Sequence, residues 1–330
     1  MTIAEPHAPE FAAGRACPLD YLTPLTSFRR AADIKASTVY VVGGLYGNIF
    51  ALDAVEALAT REPGAKLVFN GDCHWFDRDL ALFSTIEQRL APYLLLRGNV
   101  ETEISRDRDI GAGCGCAYPT NVDQGIVDRS NRILASLAVM LADQPALRAR
   151  LASRPATAIA DIGGTRVGIV HGDAHSLAGW SFDRGPLDDP AMDQDRRTIQ
   201  EETGISIFAS THTCTAVMRH FSGFGGAMTI ANNGGAGLPN FGGSRYGLVT
   251  RLSIRPAPFD TLYGVCHGNL HIDAVALAYD HAAFLAQFDQ LWPAGSDAAL
   301  SYRQRILGDM AHSVADAAPL SATARTHARG

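Results

Sequence analysis

Short apolar runs alternate along this chain with stretches of helical period, and run after run stops at a glycine or a small polar residue. Thr38-Val39-Tyr40-Val41-Val42 has the β-branched and aromatic character of a buried strand and ends at Gly43-Gly44. Asn48 is then placed to cap a helix whose Ile49, Leu52, Val55 and Leu58 recur on one face. Residues 66–70 read as a strand ending at Gly71-Asp72, and residues 93–96 as another ending at Gly98-Asn99. Residues 167–170 lead to His171-Gly172, residues 205–209 to Ser210-Thr211-His212, and residues 228–231 to Asn232-Asn233-Gly234-Gly235. Residues 247–254 and 271–279 have the pattern of late strands, and residues 282–291 and 298–310 that of helices.

Strands alternating with helices predict an α/β protein, with a largely parallel or mixed sheet and helices outside it. No internal repeat interrupts the series. Residues 1–36 lack a period and read as an irregular arm. The main domain then spans 37–280, with an insertion at about 105–155 that holds a Cys- and Gly-rich loop and helices at 133–141 and 146–151. Two C-terminal helices follow in 281–310, and residues 311–330 have the composition of a mobile tail.

Composition narrows the choice of partners. Hydrophobic residues make up 47% and charged residues 19%, ordinary for a globular protein with a sizeable core, and no apolar run nears the ~20 residues that span a bilayer. The first fifteen residues carry acids and prolines, a poor signal peptide, so a cytoplasmic protein is expected. A net charge of −6 argues against a nucleic-acid surface but not against a phosphorylated small molecule, because bound metal can supply local positive charge. The six cysteines read as thiols rather than a disulfide framework, and the sequence fixes no oligomeric state.

Asp72, Asn99, His171 and His212 each stand just past the end of a strand, where open α/β sheets collect their ligands. Each alone is more simply a turn former or cap; four in one place weaken that explanation. Glu101, Asp173, His175 and Asn232 sit beside them as candidates to orient or line the site, and His74 is placed to donate a proton to a leaving oxygen.

Gly71-Asp72, Gly98-Asn99-Val100-Glu101, His171-Gly172 and Thr211-His212-Thr213-Cys214 resemble, in order and spacing, the metal motifs of calcineurin-like metallophosphoesterases. The turn at 232–239 resembles the Asn-Pro-Gly-Ser turn of the small bacterial phosphodiesterase branch. The resemblance covers about residues 38–279 and implies a two-sheet sandwich flanked by helices, hydrolysing phosphate mono- or diesters with metal-activated water. It makes Asp72 a bridging carboxylate and assigns Asn99, His171 and His212 to one metal, with Mn, Fe, Zn or Ni as the ion.

The second metal site departs from the pattern. The family's Asp-x-His-Gly-Asn stands here as Gly44-Leu45-Tyr46-Gly47-Asn48, its last Gly-His-Thr-His histidine is Cys214, and a frequent proton-donating His is Val100. Either that site is dismantled and one ion or none remains, or it is rebuilt with Tyr46, Cys214 and the Cys114-Gly115-Cys116 loop. For Tyr46 plain packing at the sheet edge is the simpler expectation, and for Cys114 and Cys116 burial in a tight loop. A non-hydrolytic metal- or ligand-binding protein on the same scaffold is the alternative to an enzyme. A nucleotide-cradling turn at Gly43–Gly47 is a third reading, but it leaves the later motifs unexplained.

Overall fold

The computed structural model describes residues 12–223 and 226–319. Its strands are β1 (Ile34–Ala36), β2 (Thr38–Val42), β3 (Lys66–Asn70), β4 (Leu94–Leu96), β5 (Thr157–Ile162) and β6 (Thr165–Val170). They continue as β7 (Ile207–Ser210), β8 (Ala216–Phe221), β9 (Met228–Asn233), β10 (Gly247–Ser253), β11 (Tyr263–His267) and β12 (Leu270–Leu277). They form two six-stranded mixed sheets, ordered β1-β5-β6-β7-β9-β8 and β11-β12-β10-β2-β3-β4. Within them β2-β3-β4 and β6-β7-β9 run parallel, so the C-terminal ends of these strands collect at one end of each sheet.

The inner faces of the two sheets share one core: Val39, Val41 and Val68 from one side pack with Ile169, Ile207 and Ala231 from the other. Helices cover the outer faces. On the β2-β3-β4 side lie α1 (Ile49–Thr60) and α2 (Leu80–Leu90); α1 is capped as its sequence suggests, Asn48 Oδ1 accepting from Ala51 N at 3.0 Å. The short α3 (Asn99–Ser105) follows β4, and the insertion supplies α4 (Gln124–Met140) and α5 (Pro145–Ala152). Beyond α6 (Arg184–Asp188), α7 (Asp193–Thr203) covers the other sheet. The C-terminal α8 (His281–Leu291) and α9 (Asp297–Ile306) pack with α4 into a second, aromatic-rich cluster beside the strand ends.

Two segments are more ordered than their composition suggests. The described part of the arm holds two 3-10 turns, Leu19–Tyr21 and Leu25–Arg29, and its Ile34–Ala36 joins the sheet edge as β1. Residues 311–319, expected within a mobile tail, carry α10 (Val314–Ala317). Buried Arg219 holds them, donating to the carbonyls of Asp316, Ala317 and Ala318 at 3.0, 3.3 and 2.8 Å. The rest of the arm and tail, residues 1–11 and 320–330, lies outside the described residues. Among those described, no helix is long and apolar enough to cross a membrane.

Candidate metal centre

Each sheet brings two candidate ligands to the same place: Asp72 and Asn99 follow β3 and β4, and His171 and His212 follow β6 and β7. The turns after β3 and β4 touch backbone to backbone. Gly71, at φ +79°, has no room for a side chain, because a Cβ there would lie 2.5 Å from Gly98 N. Asp72 itself is left-handed at φ 51°. Glu101 fixes this turn: its carboxylate accepts from the N–H groups of Asp72, Cys73 and Gly98 at 2.9, 2.7 and 2.8 Å. The sequence placed Glu101 beside the site; its work there is to set the backbone that presents Asp72.

Three main-chain carbonyls orient the remaining ligands. His171 Nδ1 donates to Asn70 O at 2.8 Å, leaving Nε2 pointing inward. His212 Nε2 donates to Cys116 O at 3.0 Å, which leaves its Nδ1 facing His171 Nε2 at 3.2 Å. Asn99 Nδ2 donates to Cys114 O at 2.9 Å, so Asn99 Oδ1 faces the same nitrogen at 3.1 Å. An Asp72 carboxylate oxygen lies 3.3 Å from it. Four electron-pair donors therefore converge on one point, all buried.

One proton cannot satisfy this cluster. Burial alone would depress His171, but the Asp72 carboxylate outweighs it and the net shift is upward. His212, buried and facing His171, is pushed down to about 3. A single proton on His171 Nε2 can point at one neighbour and leaves the other lone pairs opposed. A divalent ion ~2.0–2.2 Å from each atom would space adjacent octahedral ligands about 2.8–3.1 Å apart and tetrahedral ones about 3.3–3.6 Å apart, a range that brackets the separations seen. The residues present fit a transition-metal ion bound through two imidazoles and two oxygens, and Asp72, His171 and His212 alone place ligand atoms within 4.8 Å of one another.

The altered half is closed rather than open. Gly44, at φ +60°, stands where the resembled motif has its Asp, and a Cβ there would meet Tyr46 Cζ and OH at 2.5 Å. The buried Tyr46 ring fills that space, and its hydroxyl bonds Cys214 Sγ at 2.9 Å. Burial raises both Tyr46 and Cys214, keeping the phenol and thiol protonated and satisfied by each other. Cys114 and Cys116 contribute through their carbonyls, in a loop whose Gly113 and Gly115 are left-handed. All six cysteines are unpaired.

Two other expectations are corrected. His74 cannot donate to a substrate: fully buried, it gives Nδ1 to Asp77 at 2.6 Å and Nε2 to Glu87 at 2.9 Å and stacks on Phe83. Asp173 does not orient His171, whose Nδ1 is taken by Asn70; its carboxylate accepts from the N–H groups of His175, Ser176 and Ser181 and closes its own loop. His175 turns outward to Asp195 at 2.8 Å. Asn232, a candidate to orient or line the site, braces the turn beneath it, bonding Phe182 O, Thr213 Oγ1 and Gly234 N.

Above the ligands opens a cavity of about 280 Å³, floored by Asp72, Asn99 and His212. Its lining also includes Tyr46, Trp75, Tyr118, Trp180 and Tyr302, with Val100, Cys214 and Arg129. Reading the sequence did not single out Trp180 or Tyr302. Trp180 packs edge-on to His212, with ring centres 5.4 Å apart, and donates to the same Cys116 carbonyl. An indole just past the His171 loop was the one available signal.

No protein-family model matches the sequence, nor does any curated protein sequence. Solved structures do match in shape. A metallophosphoesterase from Sphaerobacter thermophilus superposes with a TM-score of 0.51 at 16% identity, covering 82% of this chain and 99% of that one. A hypothetical protein from Pyrococcus horikoshii gives 0.54 at 15% identity, covering 80% and 97%. The chain has the calcineurin-like metallophosphoesterase fold, two six-stranded sheets flanked by helices, with a buried Asp-His-His group able to hold a metal.

Proposed function

We propose that this protein is a hydrolase of small phosphate mono- or diesters that works with a single divalent ion held by Asp72, Asn99, His171 and His212. The observation that carries the reading is the convergence of four lone pairs at 3.1–3.3 Å beneath a cavity. When bound there, a divalent ion supplies Lewis acidity toward phosphoryl oxygens and lowers the pKa of water. The chain holds the ligand atoms through Asn70, Cys114 and Cys116 carbonyls, shields them from bulk solvent and offers Arg129 to an anion. Water adds at phosphorus, the ester P–O bond breaks, and the alcohol departs. The unpaired cysteines fit a reducing compartment, the cytoplasm.

The mutual bonding of Tyr46 and Cys214 favours one ion over two. It also supports a second reading, a metal-binding scaffold without turnover. Protein reconstituted with Mn, Fe, Zn or Ni is assayed on p-nitrophenyl phosphate and bis-p-nitrophenyl phosphate. Turnover that vanishes together with metal content in Asp72→Ala and His171→Ala supports the hydrolase. A metal-loaded wild type inert toward both esters leaves the scaffold reading standing instead.

A further inference from the structure

We infer that the cavity selects phosphate esters whose alcohol portion is a flat, apolar aromatic group; the inference rests on the metal-centred reading above and names its substrate class. Five aromatic side chains line the space over the ligands: Tyr46, Trp75, Tyr118, Trp180 and Tyr302. Tyr118 and Trp180 pack against each other with ring centres 5.9 Å apart, and Trp75 meets Tyr302 edge-on at 6.4 Å.

What these rings offer a ligand is mostly apolar, because the polar atoms of Tyr118 and Trp180 are already taken. Tyr118 OH bonds Ser130 Oγ at 3.1 Å. Trp180 Nε1 donates to Cys116 O, and Trp75 Nε1 is buried without a hydrogen-bond partner. Sugar hydroxyls or the ring nitrogens of a base would find few partners among such walls, whereas an aryl ring gains stacking and edge contacts. At the mouth, Ile126 on α4 and Leu300 on α9 stay 37% and 64% exposed, extending the apolar surface outward. One cation lines the cavity: Arg129, whose Nε donates to Ser301 Oγ at 2.7 Å.

The chemistry of departure agrees. Among the described residues, apart from Asp72 and His212 of the ligand cluster, no Asp, Glu, His or Lys lines the cavity, and His74 is locked elsewhere. An alcohol must then leave with little help from a positioned acid. A phenolate does so readily, its conjugate acid having a pKa near ~10, as for tyrosine. An alkoxide is closer to the ~15.7 of water.

Binding of non-hydrolysable phosphonates tests this without the bias that leaving groups impose on rates. The metal-loaded full chain is titrated calorimetrically with phenylphosphonate, hexylphosphonate and methylphosphonate. Phenylphosphonate is expected to bind at least tenfold more tightly than methylphosphonate and more tightly than hexylphosphonate. Tyr302→Ala should shrink the phenyl preference several-fold, with metal content and methylphosphonate affinity unchanged. Equal affinity for phenyl and methyl, or tighter hexyl binding, overturns the aryl selectivity and leaves the phosphate-ester reading intact. Binding of none of the three to metal-loaded protein overturns both.

Discussion

Four residues other than glycine hold a left-handed backbone among the described residues, namely Tyr46, Asp72, Ala117 and Cys214, with φ between 49° and 57°. Three line the cavity, and the fourth lies between Cys116 and Tyr118, which also line it. Such conformations cost on the order of 1 kcal/mol or more each and persist only where surrounding contacts enforce them. Around Tyr46 the enforcement is steric. Gly44→Ala should therefore cost about 2–3 kcal/mol, combining a strained φ with a Cβ driven into the Tyr46 ring. In a Tyr46→Ala background the same change should cost only about 1 kcal/mol, the backbone share. Urea denaturation of the four proteins reads both values; a neutral Gly44→Ala would show that Tyr46 does not fill this space.

At the scale of elements, the loop after β3 is tied to α2 and to the end of α5 by one buried network. His74 sits between Asp77 and Glu87, and Glu87 also receives Arg150 at 2.9 Å and Arg154 at 2.5 Å. Burial would lower His74, yet the two carboxylates prevail and lift it to about 9. A histidine with a raised folded-state pKa adds stability that is complete below its unfolded value, ~6.5, and is lost as pH rises through about 9. Removing it strands the buried Asp77 carboxylate and takes one partner from Glu87, which keeps Arg150 and Arg154, so His74→Leu should lose about 3 kcal/mol at pH 6. Its unfolding free energy should also lack the wild-type decline between pH 6.5 and 9; a variant that keeps that decline would refute the assignment.

The same elements show what a sequence can and cannot reveal. The strand ends carrying Asp72, Asn99, His171 and His212 were legible because β-branched runs stop at glycine or small polar residues beside a ligand type. β1, β5, β8 and β11 were not singled out; β5 reads Thr-Ala-Ile-Ala-Asp-Ile, with alanines in place of the larger apolar residues that mark a strand. The partners of His74 are invisible in principle, since Glu87 reaches it only after α2 packs. Equally hidden were the carbonyls of Asn70, Cys114 and Cys116, because a main-chain acceptor leaves no trace in residue identity. The changed first motif was readable as a change, but only the Gly44–Tyr46 contact shows what now occupies the space.

For the whole molecule, the proposed centre draws two ligands from each sheet and is assembled only when the sandwich closes, so metal binding there would be linked to folding. At a free ion concentration about 100 times its dissociation constant, linkage adds ~2.7 kcal/mol to the folded state. A chelator should accordingly lower the melting temperature of wild type by several degrees and leave that of His171→Ala unmoved. Metal affinity should fall on acidification, because the proton drawn to His171 by Asp72 competes for the same nitrogen. The most direct test of the account is elemental analysis of metal per chain in wild type, His171→Ala and Cys214→Ala. One ion per chain, lost in His171→Ala and retained in Cys214→Ala, is the expected result. Two ions, or loss of metal in Cys214→Ala, would contradict a single centre with its other half closed by Tyr46, and no metal in wild type would contradict the centre itself.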